Sequence, residues 1–285
     1  MRYVLLAASL WMCGCDEGPG REGPDGSNDG AAERSLIDAT GLVVYRTGDK
    51  VPECDLVPLD PLEFGGERID ADVEWSGRLD LVTETLVGGV FQATRGSYRV
   101  VYPGSTHVTI HAGKVNVTTA EGTFKLRPGD SYLATTGAEV VFETVSSSHQ
   151  ASFLWNLAGP ERPPEFVVIP RGDALPESEL GPVGTWEDLD SEVLDGDPQL
   201  SGRIDSFVYP ETTGTFQSTR GAVHVTGNAT DEHGVVRHGT MTMTGSDGVP
   251  HELKTGDAFL MRYGTELVWS LDSKRVQVHF WGTVQ

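Results

Sequence analysis

The sequence predicts an all-β protein built as two tandem barrels. Three observations carry that expectation: an internal duplication, an apolar period of two, and dense punctuation by Gly, Pro and Asp. Ser76-Gly77-Arg78-Leu79-Asp80 recurs as Ser201-Gly202-Arg203-Ile204-Asp205, and Phe91-Gln92-Ala93-Thr94-Arg95-Gly96 recurs as Phe216-Gln217-Ser218-Thr219-Arg220-Gly221. Both pairs are offset by 125 residues, and ten of the 21 positions from Ser76 to Gly96 match without a gap. Gly113 then finds Gly239, Gly129-Asp130 finds Gly256-Asp257, Gly137 finds Gly264 and Trp155 finds Trp281, a drift to 126 or 127 that small turn insertions require. Solenoid repeats span roughly 20–50 residues. This is instead a duplicated domain of ordinary size, and the two copies should share one fold.

The strands follow in order. Tyr98–Tyr102, His107–His111, Lys114–Thr118 and Gly122–Leu126 alternate in the manner of short strands. Pro103-Gly104, Ala112-Gly113, Glu121-Gly122 and Pro128-Gly129-Asp130 punctuate them. In the second copy Met241–Thr244 alternates before a turn at Gly245–Gly248, and Val268–Leu271 and Val276–Trp281 close the domain. Many short strands at even spacing indicate a sandwich or barrel. No amphipathic helix follows the leader, and 177–194 has the weakest pattern. The connector, roughly Gly159 to Pro198, repeats an arm: Gly48-Asp49-Lys50-Val51-Pro52-Glu53 resembles Gly172-Asp173-Ala174-Leu175-Pro176-Glu177. Each copy therefore opens with an extended arm, expected to pack along a barrel wall or across to the neighbouring copy.

Residues 1–15 differ from the rest. Arg2 precedes a short apolar run, Tyr3 to Met12. Such a run is too short for a bilayer, which needs roughly 20 residues, but it suits a secretory signal. Gly14-Cys15 directly after it resembles a bacterial lipoprotein cleavage site, which implies lipidation of Cys15. Asp16 to Glu33 is almost all Gly, Pro, Asp, Glu, Ser, Asn and Ala and cannot bury apolar surface, so a flexible tether is expected over 16–40. Domain boundaries follow: signal 1–15, tether 16–40, first barrel 41–158, second barrel 159–285. With Cys15 lipidated and Cys13 removed, Cys54 is left without a partner; with Cys13 as the lipid site, Cys15 is free to pair with Cys54. The expected location is the cell envelope, periplasmic or surface-exposed.

Lys and Arg number 21 against 42 Asp and Glu, giving a net charge of −21. Phosphate backbones need a basic surface, so nucleic acid is excluded as a partner. The expected partners are a small-molecule ligand, a membrane reached through the lipid anchor, and a second copy of the chain in a homodimer.

Gly89 to Tyr102 with Pro103, then Thr106–Thr118, then Pro128-Gly129-Asp130, find counterparts in Gly214–Gly221, Asp231–Thr244 and Thr255-Gly256-Asp257. This ordered set resembles the cupins, and within them the branch that includes ureidoglycine aminohydrolase and ethanolamine-utilisation proteins. The resemblance implies a bicupin, two jelly-roll β-barrels in one chain. It also raises the question of a metal. Metal-binding cupins place two His two residues apart on one strand, roughly 7 Å along one face. No such pair occurs here, and His107 and His111 lie four apart, roughly 13 Å. Copy one has Thr106, Thr109 and Ala112 at the corresponding places. Copy two keeps more, with Glu232, His233 and His238 as candidate metal ligands and His224 or His279 from other strands. The metal site is expected to be degenerate, so no cofactor is expected, with a divalent metal in the second barrel as the alternative.

His107, His111 and Trp269 are candidate ligand-binding residues. Arg95 and Arg220, each before Gly, are expected to pair with an acid such as Asp80 or Asp205. Trp155 and Trp281 are expected in the barrel cores, as are Trp75 and Trp269 unless they stack on a ligand. His149 and His251 are expected in loops. No nucleophilic triad, phosphate loop or glycosidase carboxylate pair is discernible. The expected function is a lipid-anchored envelope protein that binds a small molecule without catalysis. The alternative is a metal-dependent hydrolase resembling ureidoglycine aminohydrolase, and a structural lipoprotein is a third possibility.

Overall fold

The computed structural model describes residue 37 and residues 40–284. The signal, Cys15 and nearly all of the tether lie outside the described residues. Copy one runs through β1 (Leu42–Tyr45), β2 (Val57–Pro58), β3 (Gly66–Arg68), β4 (Trp75–Val82), β5 (Leu86–Val101), β6 (Ser105–Ala112), β7 (Val115–Thr119), β8 (Gly122–Leu126), β9 (Ser131–Ala134) and β10 (Glu139–Asn156). Copy two runs through β11 (Phe166–Ile169), β12 (Ser191–Gly196), β13 (Leu200–Val208), β14 (Glu211–Val225), β15 (Thr230–His238), β16 (Thr240–Thr244), β17 (Pro250–Lys254), β18 (Ala258–Met261) and β19 (Leu267–Val284). The segments expected as separate closing strands, Val268–Leu271 and Val276–Trp281, are one bent strand, β19. The weakly patterned 177–194 region forms two 3-10 turns, Glu177–Glu179 and Glu187–Leu189, before β12.

The arms cross. One sheet has the order β11-β9-β6-β10-β5-β4-β2, and the other has β1-β18-β15-β19-β14-β12. Strand β1, from the first arm, therefore pairs antiparallel with β18 of the second barrel, Leu42 facing Met261 and Tyr45 facing Ala258. Strand β11, from the second arm, pairs with β9 of the first barrel, Phe166 facing Ala134 and Ile169 facing Ser131.

Two duplicated polar contacts hold these arms. In each Gly-Asp turn the glycine takes a positive φ, 94° at Gly129 and 98° at Gly256, a region that favours glycine. The aspartate that follows is buried. Asp130 accepts from the backbone N–H of Arg127 in its own turn (2.9 Å) and of Arg171 in the crossing arm (2.8 Å). Asp257 does the same with Lys254 (3.0 Å) and Thr47 (2.7 Å). Further along, Gln150 bonds the backbone N–H and C=O of Val51 at 2.8 and 2.9 Å, as a neighbouring strand would. Gln277 repeats this on Leu175, at 2.8 Å for both bonds.

Alternation along β6 and β15 then sorts side chains to opposite faces. Val108 and Ile110 enter the core of barrel one, whereas His107 and His111 face away from it. Val236 enters the core of barrel two, whereas Val235 joins a third apolar cluster between the barrels. That cluster unites Tyr45, Leu81, Leu86, Val90 and Leu154 of copy one with Val235, Ala258, Leu260 and Trp281 of copy two. Each such side chain contributes roughly 1.5–3 kcal/mol on burial, so the barrels form one packed unit.

Two expectations change. Trp155 lies in the core of barrel one, but Trp281 lies in the interdomain cluster. The pairings explain the difference: Trp155 faces Val87, whereas Trp281 faces Thr213, the counterpart of Gly88. A one-residue slip in the closing strand moves a side chain to the other face. Cys54 is disulfide-bonded, so it is not the unpartnered thiol that lipidation at Cys15 with loss of Cys13 implies.

Replacing Asp257 with Ala should cost about 1–3 kcal/mol, because the Thr47 and Lys254 amides lose their acceptor. The urea midpoint measures this, and a change below about 0.5 kcal/mol would mean that the arm holds without the tie.

Candidate functional site

The core of barrel one encloses a cavity of about 60 Å³. One water needs roughly 10–15 Å³, so the space suits a ligand of a few heavy atoms. Its walls are mostly aromatic: Trp75 packs edge-on to Tyr98 at 4.9 Å, Tyr98 stacks on Phe142 at 5.0 Å, and Phe64 lies 5.5 Å from Trp155. Phe64 and Leu59 reach the cavity from either side of Pro61, the start of a 3-10 turn. There Asp60 caps the Leu62 amide at 3.0 Å and Gly65 ends the turn in the left-handed region. The polar groups of the wall mostly bond one another. The Tyr102 and Tyr132 hydroxyls are 3.0 Å apart, Thr106 donates to the Leu154 carbonyl at 2.9 Å, and the Tyr98 hydroxyl meets His149 Nε2 at 3.3 Å. The indole N–H groups of Trp75 and Trp155 have no protein partner.

His149 belongs to β10 rather than to a loop. It is fully buried beside Phe91 and Tyr98, and its Nδ1 lies 2.8 Å from the Thr144 hydroxyl. Burial pushes its pKa down to about 3, so it is neutral. Period-two counting through the Ser146–Ser148 region misses it, because the β10–β5 register shifts between Thr144 and Ser148.

Barrel two is filled differently. Met241, Met243, Phe259 and Trp269 occupy its core, with Trp269 stacked on Phe216 at 5.5 Å. Its ionisable core group is Glu232, which faces Gly282 across β15 and β19. Burial pushes this carboxyl up to about 7, opposed by a weak bond from Thr230 at 3.4 Å, and Oε1 has no partner.

A histidine layer lies between the barrels. His107 Nδ1 is 3.0 Å from the His233 carbonyl and also 3.0 Å from His233 Nδ1. A carbonyl only accepts, so His107 Nδ1 carries the proton and His233 Nδ1 does not. His233 Nε2 then donates to the Ser152 hydroxyl at 3.0 Å. His279 lies 5.1 Å from His107, ring to ring, and His111 donates from Nδ1 to the Asp49 carbonyl at 2.9 Å. Burial lowers the pKa of all four, to about 4 for His107.

The EutQ-like cupin domain matches residues 83–149 and 206–280, once in each barrel. This is a cupin-domain protein. Solved structures agree on the fold. A DUF861-family protein of unknown function from Pseudomonas syringae pv. tomato str. DC3000 superposes with a TM-score of 0.64 at 18% identity, covering 86% of this chain and 100% of that one. A putative glyoxylate induced protein from Pseudomonas aeruginosa gives 0.50 at 12% identity, over 91% of this chain and 93% of that one. No curated protein sequence matches the chain.

A metal inside a cupin barrel needs donors converging from several strands. Glu232 points into barrel two, its neighbour His233 points between the barrels, and His238 is exposed beyond a register shift. His279 faces outward with His233, and His224 follows core residue Val223 on the opposite face of β14. Among the described residues no group of three or more His, Cys, Asp or Glu is placed to hold an ion. The residues present do not fit the barrel metal of the fold family. Of the candidate ligand residues, His107 and His111 lie in the interdomain layer and Trp269 in the barrel-two core; the structure does not bring them together. Arg95 bonds the Ser146 carbonyl at 3.4 Å, and Asp80 and Asp205 pair with Arg78 and Arg203 instead. His251 lies on β17.

These buried groups set a pH dependence with two limbs. An unfolded imidazole titrates near 6.5, so stability from the neutral His layer is complete above that value and declines as the pH falls toward about 4. Glu232 acts oppositely: its stability as a neutral acid is complete below about 4.3 and is lost as pH rises through about 7. Glu232→Gln should therefore remove a decline on the order of 3 kcal/mol between about pH 4.3 and 7 and leave the histidine dependence unchanged. Urea midpoints of both proteins across the pH range measure this, and an identical pH profile in the variant would show that Glu232 is already ionised.

Proposed function

We propose that this protein is a lipid-anchored envelope protein whose first cupin barrel holds a small, largely apolar ligand without chemical turnover. The apolar, aromatic-lined cavity of barrel one carries this proposal. His149, behind the Tyr98 wall, is held neutral between Thr144 and Tyr98, and no carboxylate is among the residues that line the cavity. The ring faces offer dispersion and edge-to-face contact, and two indole N–H groups remain for a weak acceptor on the ligand. The leader and tether support placement at an envelope membrane through a lipidated cysteine of the leader. The separation of the two groups supports a role without a resident cofactor: the buried carboxyl of Glu232 lies in barrel two and the buried imidazole of His149 in barrel one. One observation favours the metal-dependent hydrolase, the unpartnered Oε1 of buried Glu232.

Xenon and dimethyl sulfide probe the barrel-one site. Either should shift the NMR signals of Tyr98 and Trp155 and raise the thermal midpoint, and Val108→Phe, which fills the cavity, should abolish both effects. Shifts that persist in the filled variant, or none at all, would defeat the proposal. Elemental analysis of the purified protein tests the alternative. The expected result is no stoichiometric metal; a metal bound one to one and lost in Glu232→Ala would support the hydrolase instead.

A further inference from the structure

The two interdomain contacts are related by the duplication but are not equally filled. The strand registers make Ile169 the second-copy counterpart of Tyr45, Ser206 that of Leu81 and His279 that of Ser152. On the first side the buried Tyr45 fills the space, donating to Asp80 at 2.8 Å while Arg78 also binds Asp80 at 2.8 Å. On the second side Ile169 and Ser206 leave a cleft of about 400 Å³. Its polar wall includes Arg162, Arg203, Arg237, Asp205, Thr213 and His279. Arg162 and Arg237 each keep a buried Nε, and His279 a buried Nδ1, without a hydrogen-bond partner. Arg237 is 6% exposed, and its carboxylate partner, Asp173 at 3.2 Å, is 63% exposed. A buried guanidinium with a solvated partner is incompletely compensated. Burial accordingly lowers its pKa.

We propose that this cleft binds a small monocarboxylic acid bearing hydroxyl or amino donors, its carboxylate on Arg237 and its donors toward Asp205. The planar guanidinium fork matches a carboxylate. Asp173, Asp205 and Glu165 line the same cleft, so a phosphate dianion meets repulsion that a monocarboxylate largely avoids, and the acids supply acceptors for the ligand's donors. The site lies outside both barrels and is independent of the apolar cavity in barrel one.

Calorimetric titration of the whole protein with L-lactate, L-serine, acetate and inorganic phosphate tests this. Lactate or serine should bind more tightly than acetate and phosphate. Ile169→Tyr and Ser206→Leu copy the first side into the second and should each abolish binding while preserving the xenon response of barrel one. Arg237→Gln should weaken binding at least about tenfold. Should Ile169→Tyr fail to fold, Ser206→Leu, whose side chain is half-buried, gives the same readout. Binding that survives both filling variants, phosphate affinity equal to that of the carboxylates, or no binding of any probe at millimolar concentration would each overturn the proposal.

Discussion

The buried aspartate at the tip of each Gly-Asp turn is the constraint on which the rest depends. A barrel assembled from one copy alone would leave β9 or β18 as an open edge, and open edges invite unwanted pairing. Here each edge is covered by the other copy's arm, and Asp130 and Asp257 fix where that arm enters. The cover is reciprocal, so neither barrel can leave without uncovering both. This arrangement presses the outer faces of β6 and β15 together and removes His107, His233 and His279 from water. Their depressed basicity is thus a consequence of chain topology, since burial, and not a nearby cation, is its largest cause.

Duplication supplied two equivalent backbones, and the side chains have since diverged by location. The tying residues are the same in both copies: Gln92 and Gln217, Gln150 and Gln277, Asp130 and Asp257. The interiors are not. Thr144 and His149 of barrel one correspond to Leu271 and Val276 of barrel two, and Thr106 corresponds to Glu232. Removing an ionisable group from an apolar interior also removes its desolvation penalty, so this pattern reduces the polar load in each barrel. The Gln and Asp ties recur in both copies, while the polar side chains inside the barrels differ.

Much of the fold was legible in the sequence because duplication and period-two patterning are local signals. The Gly-Asp turns were visible as repeated punctuation, and the crossing arms as a repeated Gly-Asp-x-x-Pro-Glu motif. The partners of those turns were not legible, since Asp130 and Arg171 are 41 residues apart and nothing in either segment announces the other. Site residues were harder still. Glu232 and His233 are neighbours in sequence, yet one extended step sends them into different environments. His149 was hidden by a bulge, and counting alternation across an irregular strand assigns the wrong face. The basic wall of the interdomain cleft draws on 162, 203, 237 and 279, positions with no shared motif.

The closing strands show how one residue of slip changes what a barrel contains. In barrel one Trp155 pairs with Thr106 across β10 and β6. In barrel two the equivalent pair is Gly282 with Glu232. The pair in barrel two is much smaller, because no ring replaces the indole and the carboxyl side chain fills only part of its space. The indole that copy one turns inward therefore walls an aromatic cavity. The indole that copy two carries one step earlier, Trp281, turns outward and joins the interdomain cluster. With no indole above it, Glu232 is left with an unpaired oxygen in barrel two. The same slip accounts for the aromatic wall in barrel one, the solitary carboxyl in barrel two and part of the packing that joins them.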